Sequence, residues 1–122
     1  MRLWHETLIP LLPRNQLLGQ HRECCALRGK GWGKKHSTVD YVFEHSPYYL
    51  YKYHLKIMEE MSQRGYQVSP EWLDKNYRGK NMVAYKDLEP LATSFPIYLE
   101  HDEAYLQECL ENLASKNIYL TL

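Results

Sequence analysis

Residues 13–36 read PRNQLLGQHRECCALRGKGWGKKH, a helical pattern carrying the adjacent pair Arg22 and Glu23 that runs into a glycine-rich, basic loop. At about 100° per residue, Leu17, Leu18, His21, Cys24 and Cys25 fall within roughly a third of the circumference and are expected to form the buried stripe. Gly19 and Ala26 then lie on the opposite face, with Arg22 and Glu23 on either side of them. A second backbone or a ligand could come close to the helix there, between a cation and a carboxylate. The bland alternative is a solvated outer face, where such side chains usually sit. Pro13 suits an early helical position and Gly29 a cap, so the helix is expected to end around Arg28.

Beyond it, Gly29 to His36 supplies Lys30, Lys34 and Lys35 around the aromatic Trp32, on a backbone that three glycines free from the usual φ limits. Cations around an aromatic suit phosphate contact with base stacking, and a flexible connector is the alternative. The stretch is not a nucleotide P-loop, because the GxxxxGK[ST] spacing is absent and the segment follows a helix.

Upstream, Pro10 and Pro13 forbid one continuous helix, so the first twelve residues are expected to be an extended arm packed by Leu3, Trp4, Leu8, Ile9 and Leu11. Downstream, Ser37 and Asp40 resemble a capping box opening a short helix from Thr38 to His45, which would bury Val39, Val42 and Phe43. Ser46 and Pro47 start the clearest amphipathic helix. Its apolar side carries Leu50, His54, Ile57, Met58 and Met61, with His54 as a satisfied buried histidine, and Gly65 ends it. From 66 to 100 periodicity fades. Ser69 and Pro70 open at most one turn through Trp72, and NYRGKN at 76–81 offers Arg78 and Lys80 as a basic turn. The last helix is expected over 102–116, with Leu106, Cys109, Leu110 and Leu113 inward and Asn117 as its stop. The whole reads as an all-α, single compact domain of three main helices plus short helical turns, with a long irregular segment before the last helix.

Its 122 residues, 44% of them hydrophobic, suffice for one core. No apolar run is long enough for a membrane span, and Arg2, His5 and Glu6 interrupt what would have to be a signal core. A soluble cytoplasmic protein with no membrane partner is expected. Cys24, Cys25 and Cys109, an odd number without CxxC spacing, read as reduced core thiols, and neither metal nor organic cofactor is expected. The formal net charge is zero, yet residues 1–56 hold nine Lys or Arg against four Asp or Glu, and residues 57–122 hold six against eleven. The positive half contains the candidate site, as a polyanion-facing surface would.

The order of short arm, helix with Arg22-Glu23, basic loop, helix ending in RGY and final helix resembles the pyrimidine-dimer DNA glycosylase and abasic-site lyase, or endonuclease V-like, family. MRLW with LLGQHRECCALRGKGWGKKHSTV is similar to a bacterial branch of it, and SQRGYQV at 62–68 is a secondary match. The resemblance implies that the chain's α-amino group attacks C1′ of a damaged nucleotide, releases the base and cleaves the strand through an imine. Glu23 would orient the amine and move protons, while Arg22 would hold a phosphate. Arginine at position 2 normally prevents removal of the initiator, so the amine would be that of Met1. The family's further helical cation falls at Ala26, with Arg28 two positions along, and its aromatic, basic tail has no clear counterpart in NIYLTL. With the exposed cations added, the expected catalytic residues are Met1 and Glu23. The expected DNA contacts are Arg2, Arg22, Arg28, Lys30, Trp32, Lys34, Lys35, Arg78 and Lys80. Damaged duplex DNA is the expected partner of a monomer. A noncatalytic nucleic-acid binder on the same scaffold and a protein-interaction domain using the 11 tyrosines are the alternatives.

Overall fold

A computed structural model describes residues 2–35 and 38–122. Met1 and the Ser37 end of the expected capping box lie outside the described residues. Three α-helices, α1 (Arg14–Arg28), α2 (Pro47–Gln63) and α3 (Glu103–Ala114), are joined by 3-10 turns at Glu6–Leu11, Asp40–Glu44 and Pro70–Leu73. No strand occurs among the described residues. No helix among them is long and apolar enough to cross a membrane.

The helix ends follow local chemistry. Ser46 caps α2 by accepting from the Tyr48 N–H (3.1 Å), and Asp102 caps α3 by accepting from the Tyr105 N–H (2.9 Å). Gly65, at φ 85°, turns the chain out of α2. The Tyr66 N–H then reaches back to the Met61 carbonyl (2.9 Å) and the Gly65 N–H to that of Ser62 (3.0 Å), closing a Schellman motif. Asn117 does the same for α3 at φ 61°, with the Ile118 N–H on the Leu113 carbonyl at 3.0 Å.

α1 packs chiefly on α2, and the core joins Leu17, Cys24 and Leu27 to Leu50, Tyr53 and Ile57, with Leu3, Leu8, Leu113 and Cys109 around them. The inward face of α1 differs from the apolar stripe. Leu17, Gln20, Cys24, Leu27 and Arg28 are buried, whereas Leu18, His21 and Cys25 are only half-buried. Two polar side chains therefore belong to the core face, rotating it by roughly a fifth of a turn. The arm also departs from expectation. Its second half coils as a 3-10 helix through Pro10, so Leu12 is buried in place of Leu11, which is 39% exposed. The expected helix from Thr38 to His45 is shorter and of 3-10 type, though Val39 and Val42 are fully buried.

Arg28 explains how the segment from 66 onward holds its shape. Its buried guanidinium donates to the carbonyls of Trp72 (2.8 Å), Asp74 (2.8 Å) and Tyr77 (3.0 Å). The same group lies against the rings of Tyr51 and Trp72, 5.3 and 4.9 Å from their centroids. Arg78 returns the connection by donating from Nε to the Arg28 carbonyl (3.0 Å). Gly29 accommodates this crossing, since a Cβ there would stand 2.8 Å from the Arg78 carbonyl oxygen. Arg28 and Arg78, expected as DNA contacts, are thus engaged in joining α1 to this segment. A lysine presents one ammonium where the guanidinium spans three carbonyls. Arg28→Lys should therefore lower stability by about 3 kcal/mol in urea titration and accelerate amide exchange between residues 72 and 78.

The arm and the start of α3 meet at His101. The Glu6 N–H donates to His101 Nδ1 (3.1 Å), which fixes the proton on Nε2, facing the Tyr41 hydroxyl at 2.8 Å. Glu6 itself accepts from the Ile97 N–H (2.7 Å) and pairs with Lys56. Burial pushes the His101 imidazole down to about 3. Below about pH 6.5 the unfolded chain takes up a proton that the folded chain refuses, so stability is complete above that pH and declines as pH falls toward 3. Urea titration at pH 5.0 should show about 2 kcal/mol lost on this account relative to pH 7.5. His101→Gln, which keeps a donor and an acceptor but does not titrate, should flatten that dependence.

Candidate functional site

The arm lies beside α1 through one side chain. Gln20 Nε2 donates to the Arg2 carbonyl (2.9 Å) and to Glu23 Oε2 (2.9 Å), while Gln20 Oε1 accepts from the Trp4 N–H (2.6 Å). A backbone carbonyl and a backbone N–H have fixed polarity, so the orientation of this amide is determined by its partners. Tyr53 of α2 adds a hydroxyl that donates to the Trp4 carbonyl (2.6 Å), with Gln20 Oε1 3.0 Å away. Tyr105 of α3 donates to the Leu3 carbonyl from the other side. Both neighbours of Leu3 are thereby held as a strand partner would hold them, and the Leu3 side chain is fully buried.

This brings Arg2 and Trp4 to the wall of a pocket of about 240 Å³ that also includes Glu23, Thr38, Asn112 and Lys116. Among the described residues, Glu23 is the only acidic group lining it. Two cations lie over the Trp4 ring, the Arg2 guanidinium 5.9 Å and the Lys116 ammonium 5.3 Å from its centroid. Arg2 also lies 5.8 Å from the Tyr105 ring and 3.9 Å from Glu108 Oε1. Burial raises the Glu23 carboxyl above the usual range, against nearby positive charge including Lys116, the Arg2 backbone N–H and the Gln20 amide. A half-buried carboxyl held by donors yet inclined to accept a proton is equipped for acid–base work. The cationic rim suits an anionic ligand.

The other expected site residues are distributed differently. Arg22 is exposed and outside the pocket. Its terminal nitrogen lies 3.6 Å from where a Cβ on Gly19 would stand, so Arg22 itself lies over the small-residue strip. The arm does not use that strip and crosses on the Gln20–Glu23 side. The glycine-rich loop folds back instead, with the Gly31 N–H on the Ala26 carbonyl at 2.8 Å. A Cβ on Gly31 would stand 2.7 Å from that oxygen. Lys30, Lys34, Lys35 and Lys80 are exposed. Trp32 packs edge-on against Phe43, centroids 5.0 Å apart, so part of its ring is occupied by the core. Gln20 was missed in the sequence because apolar periodicity places a glutamine on the outer face of α1, and Asn112 and Lys116 because no short-range spacing links the end of α3 to Glu23.

One cluster has metal-ligand composition. The ligand atoms of His21, Cys25 and His54 lie within 4.8 Å of one another. Their hydrogen bonding opposes a cation. An Arg28 N–H donates to His54 Nδ1 (2.9 Å), which leaves the proton on His54 Nε2, aimed at His21 Nδ1 at 2.8 Å. Burial and the adjacent guanidinium hold both imidazoles below their usual range, and burial raises the Cys25 thiol to about 11. The cluster is a neutral hydrogen-bonded relay joining α1 to α2.

In comparison with known proteins, residues 1–74 match the family described as pyrimidine dimer DNA glycosylase. No curated protein and no solved structure matches the chain. The matched span contains the arm, Gln20 and Glu23. Asn112 and Lys116, which also line the pocket, lie outside it.

Proposed function

Because the chain belongs to the pyrimidine dimer DNA glycosylase family, we propose that it is a base-lesion glycosylase with abasic-site lyase activity. Its nucleophile is the α-amine of Met1 and its catalytic carboxylate is Glu23. The observation that carries this reading is the Arg2 backbone N–H acting on the half-buried Glu23 carboxyl in a cation-rimmed pocket. With Met1 as the terminus, covalent geometry keeps its α-nitrogen within about 4 Å of the Arg2 nitrogen.

An α-amine with a pKa near 8 is partly neutral at physiological pH and needs little burial to act as a nucleophile. Its lone pair forms the bond to C1′ as the glycosidic bond breaks and the base departs with the electron pair, taking a proton. Opening of the sugar ring gives the protonated imine. Loss of a C2′ proton then expels the 3′ phosphate by β-elimination, and water hydrolyses the imine to restore the amine. Glu23 serves as the carboxylate facing the cationic intermediate and as the group that accepts and returns protons. Its raised pKa brings it nearer to that of the amine than a solvated carboxylate would be.

DNA follows as the partner. Arg2 and Lys116 at the pocket and Arg22, Lys30, Lys34, Lys35 and Lys80 outside it are the proposed phosphate contacts. Removal of each cation that neutralises a phosphate should reduce the salt slope of binding by about one.

Sodium borohydride should trap the full chain covalently on an abasic-site oligonucleotide, and intact mass should place the adduct on the Met1 amine. Glu23→Gln should slow strand cleavage by on the order of a hundredfold. A salt-sensitive gel shift without covalent product would instead identify a noncatalytic binder. Lys116→Met removes a charge that lowers the Glu23 pKa, so the acid limb of its pH–rate profile should move to higher pH.

A further inference from the structure

We infer that Gln20 is the positioning residue that sets the reach between the chain terminus and Glu23, an inference that rests on the function proposed above. It fixes the register of the arm and the orientation of the catalytic carboxylate through a single amide group.

Gln20 is 1% exposed and lies beneath the residues that line the pocket, hydrogen-bonded to one of them, Glu23. Its NH2 group has two hydrogens, and both are used: one on the Arg2 carbonyl and one on Glu23 Oε2, each at 2.9 Å. Its oxygen takes the Trp4 N–H at 2.6 Å. The carbonyl of residue 2 and the N–H of residue 4 bracket one register of the arm. A slip of one residue would send the Leu3 position outward and leave both backbone groups facing the wrong partners. The carboxylate cannot turn away from the arm without breaking the bond from the same nitrogen. Residues 2–4 of the arm and the carboxylate are therefore held to one another, and a misplacement of about 1 Å is enough to cost on the order of a hundredfold in a reaction of this kind.

The test uses the full chain in two ways. Gln20→Met keeps the length of the side chain and removes its hydrogen bonds. With folding verified by circular dichroism, it should bind a tetrahydrofuran abasic analogue within about threefold of the unsubstituted chain. The single-turnover rate of borohydride trapping on a true abasic site should fall by about thirtyfold or more, with the acid limb of the pH–rate profile moved upward as Glu23 loses a donor. The second measurement leaves Gln20 in place: one alanine is added before Met1 and verified by intact mass. A clamped register displaces the amine by one residue, about 3.5 Å, and trapping should fall at least as far.

Trapping by either variant within threefold of the unsubstituted chain would overturn the inference while leaving the proposed function standing. So would losses that merely follow weakened binding. Should Gln20→Met fail to fold, the extended chain decides the question alone. Absence of trapping by the unsubstituted chain would overturn the proposed function, and this inference with it.

Discussion

Two polar side chains on the core face of α1, Gln20 and Arg28, are buried, and a buried polar group costs free energy unless it is hydrogen-bonded. That constraint organises the parts of the chain that hydrophobic periodicity does not. In the middle of α1 the demand of Gln20 is met by the backbone of the arm and by Glu23. At its C-terminal end, that of Arg28 is met by three carbonyls between 72 and 77. Removing one partner from either set would leave its counterpart unsatisfied in a medium where water cannot compensate, which is more costly than the net gain from a single bond.

The same arrangement gives Glu23 its character. It stands one step around α1 from Gln20, at the border between core and solvent. It is buried enough for its carboxyl to be raised, yet held by an N–H of Arg2, the Gln20 amide and the charge of Lys116. Desolvation and these donors act in opposition, and desolvation prevails. Arg22, its neighbour, faces outward and is exposed. Adjacency in sequence thus conceals a large difference in surroundings.

The sequence revealed the helices well because repeated apolar positions and caps are short-range signals. α2 buries each of Leu50, His54, Ile57, Met58 and Met61, and Gly29, Gly65 and Asn117 stop the helices where their backbone chemistry suggests. The rotation of α1 was hidden because apolar counting places a glutamine and an arginine outside. Arg28 looked like a surface cation for the same reason, since its acceptors are carbonyls, which leave no trace in residue type. Glu23 was named in the sequence through a resemblance, and Arg2 as a cation near the start of the chain. Asn112 and Lys116 were not, because only the folded chain brings the end of α3 against the arm.

The pocket is lined by Arg2 and Trp4 of the arm, by Glu23 and Thr38, and by Asn112 and Lys116 at and just beyond the end of α3, so it cannot be complete in a partly synthesised or clipped polypeptide. A fragment ending before α3 would keep the carboxylate but lose the Lys116 ammonium and the Asn112 amide. The Lys116 charge therefore reaches Glu23 only once the last helix has docked, so the state of that carboxyl registers a contact between two distant parts of the polypeptide.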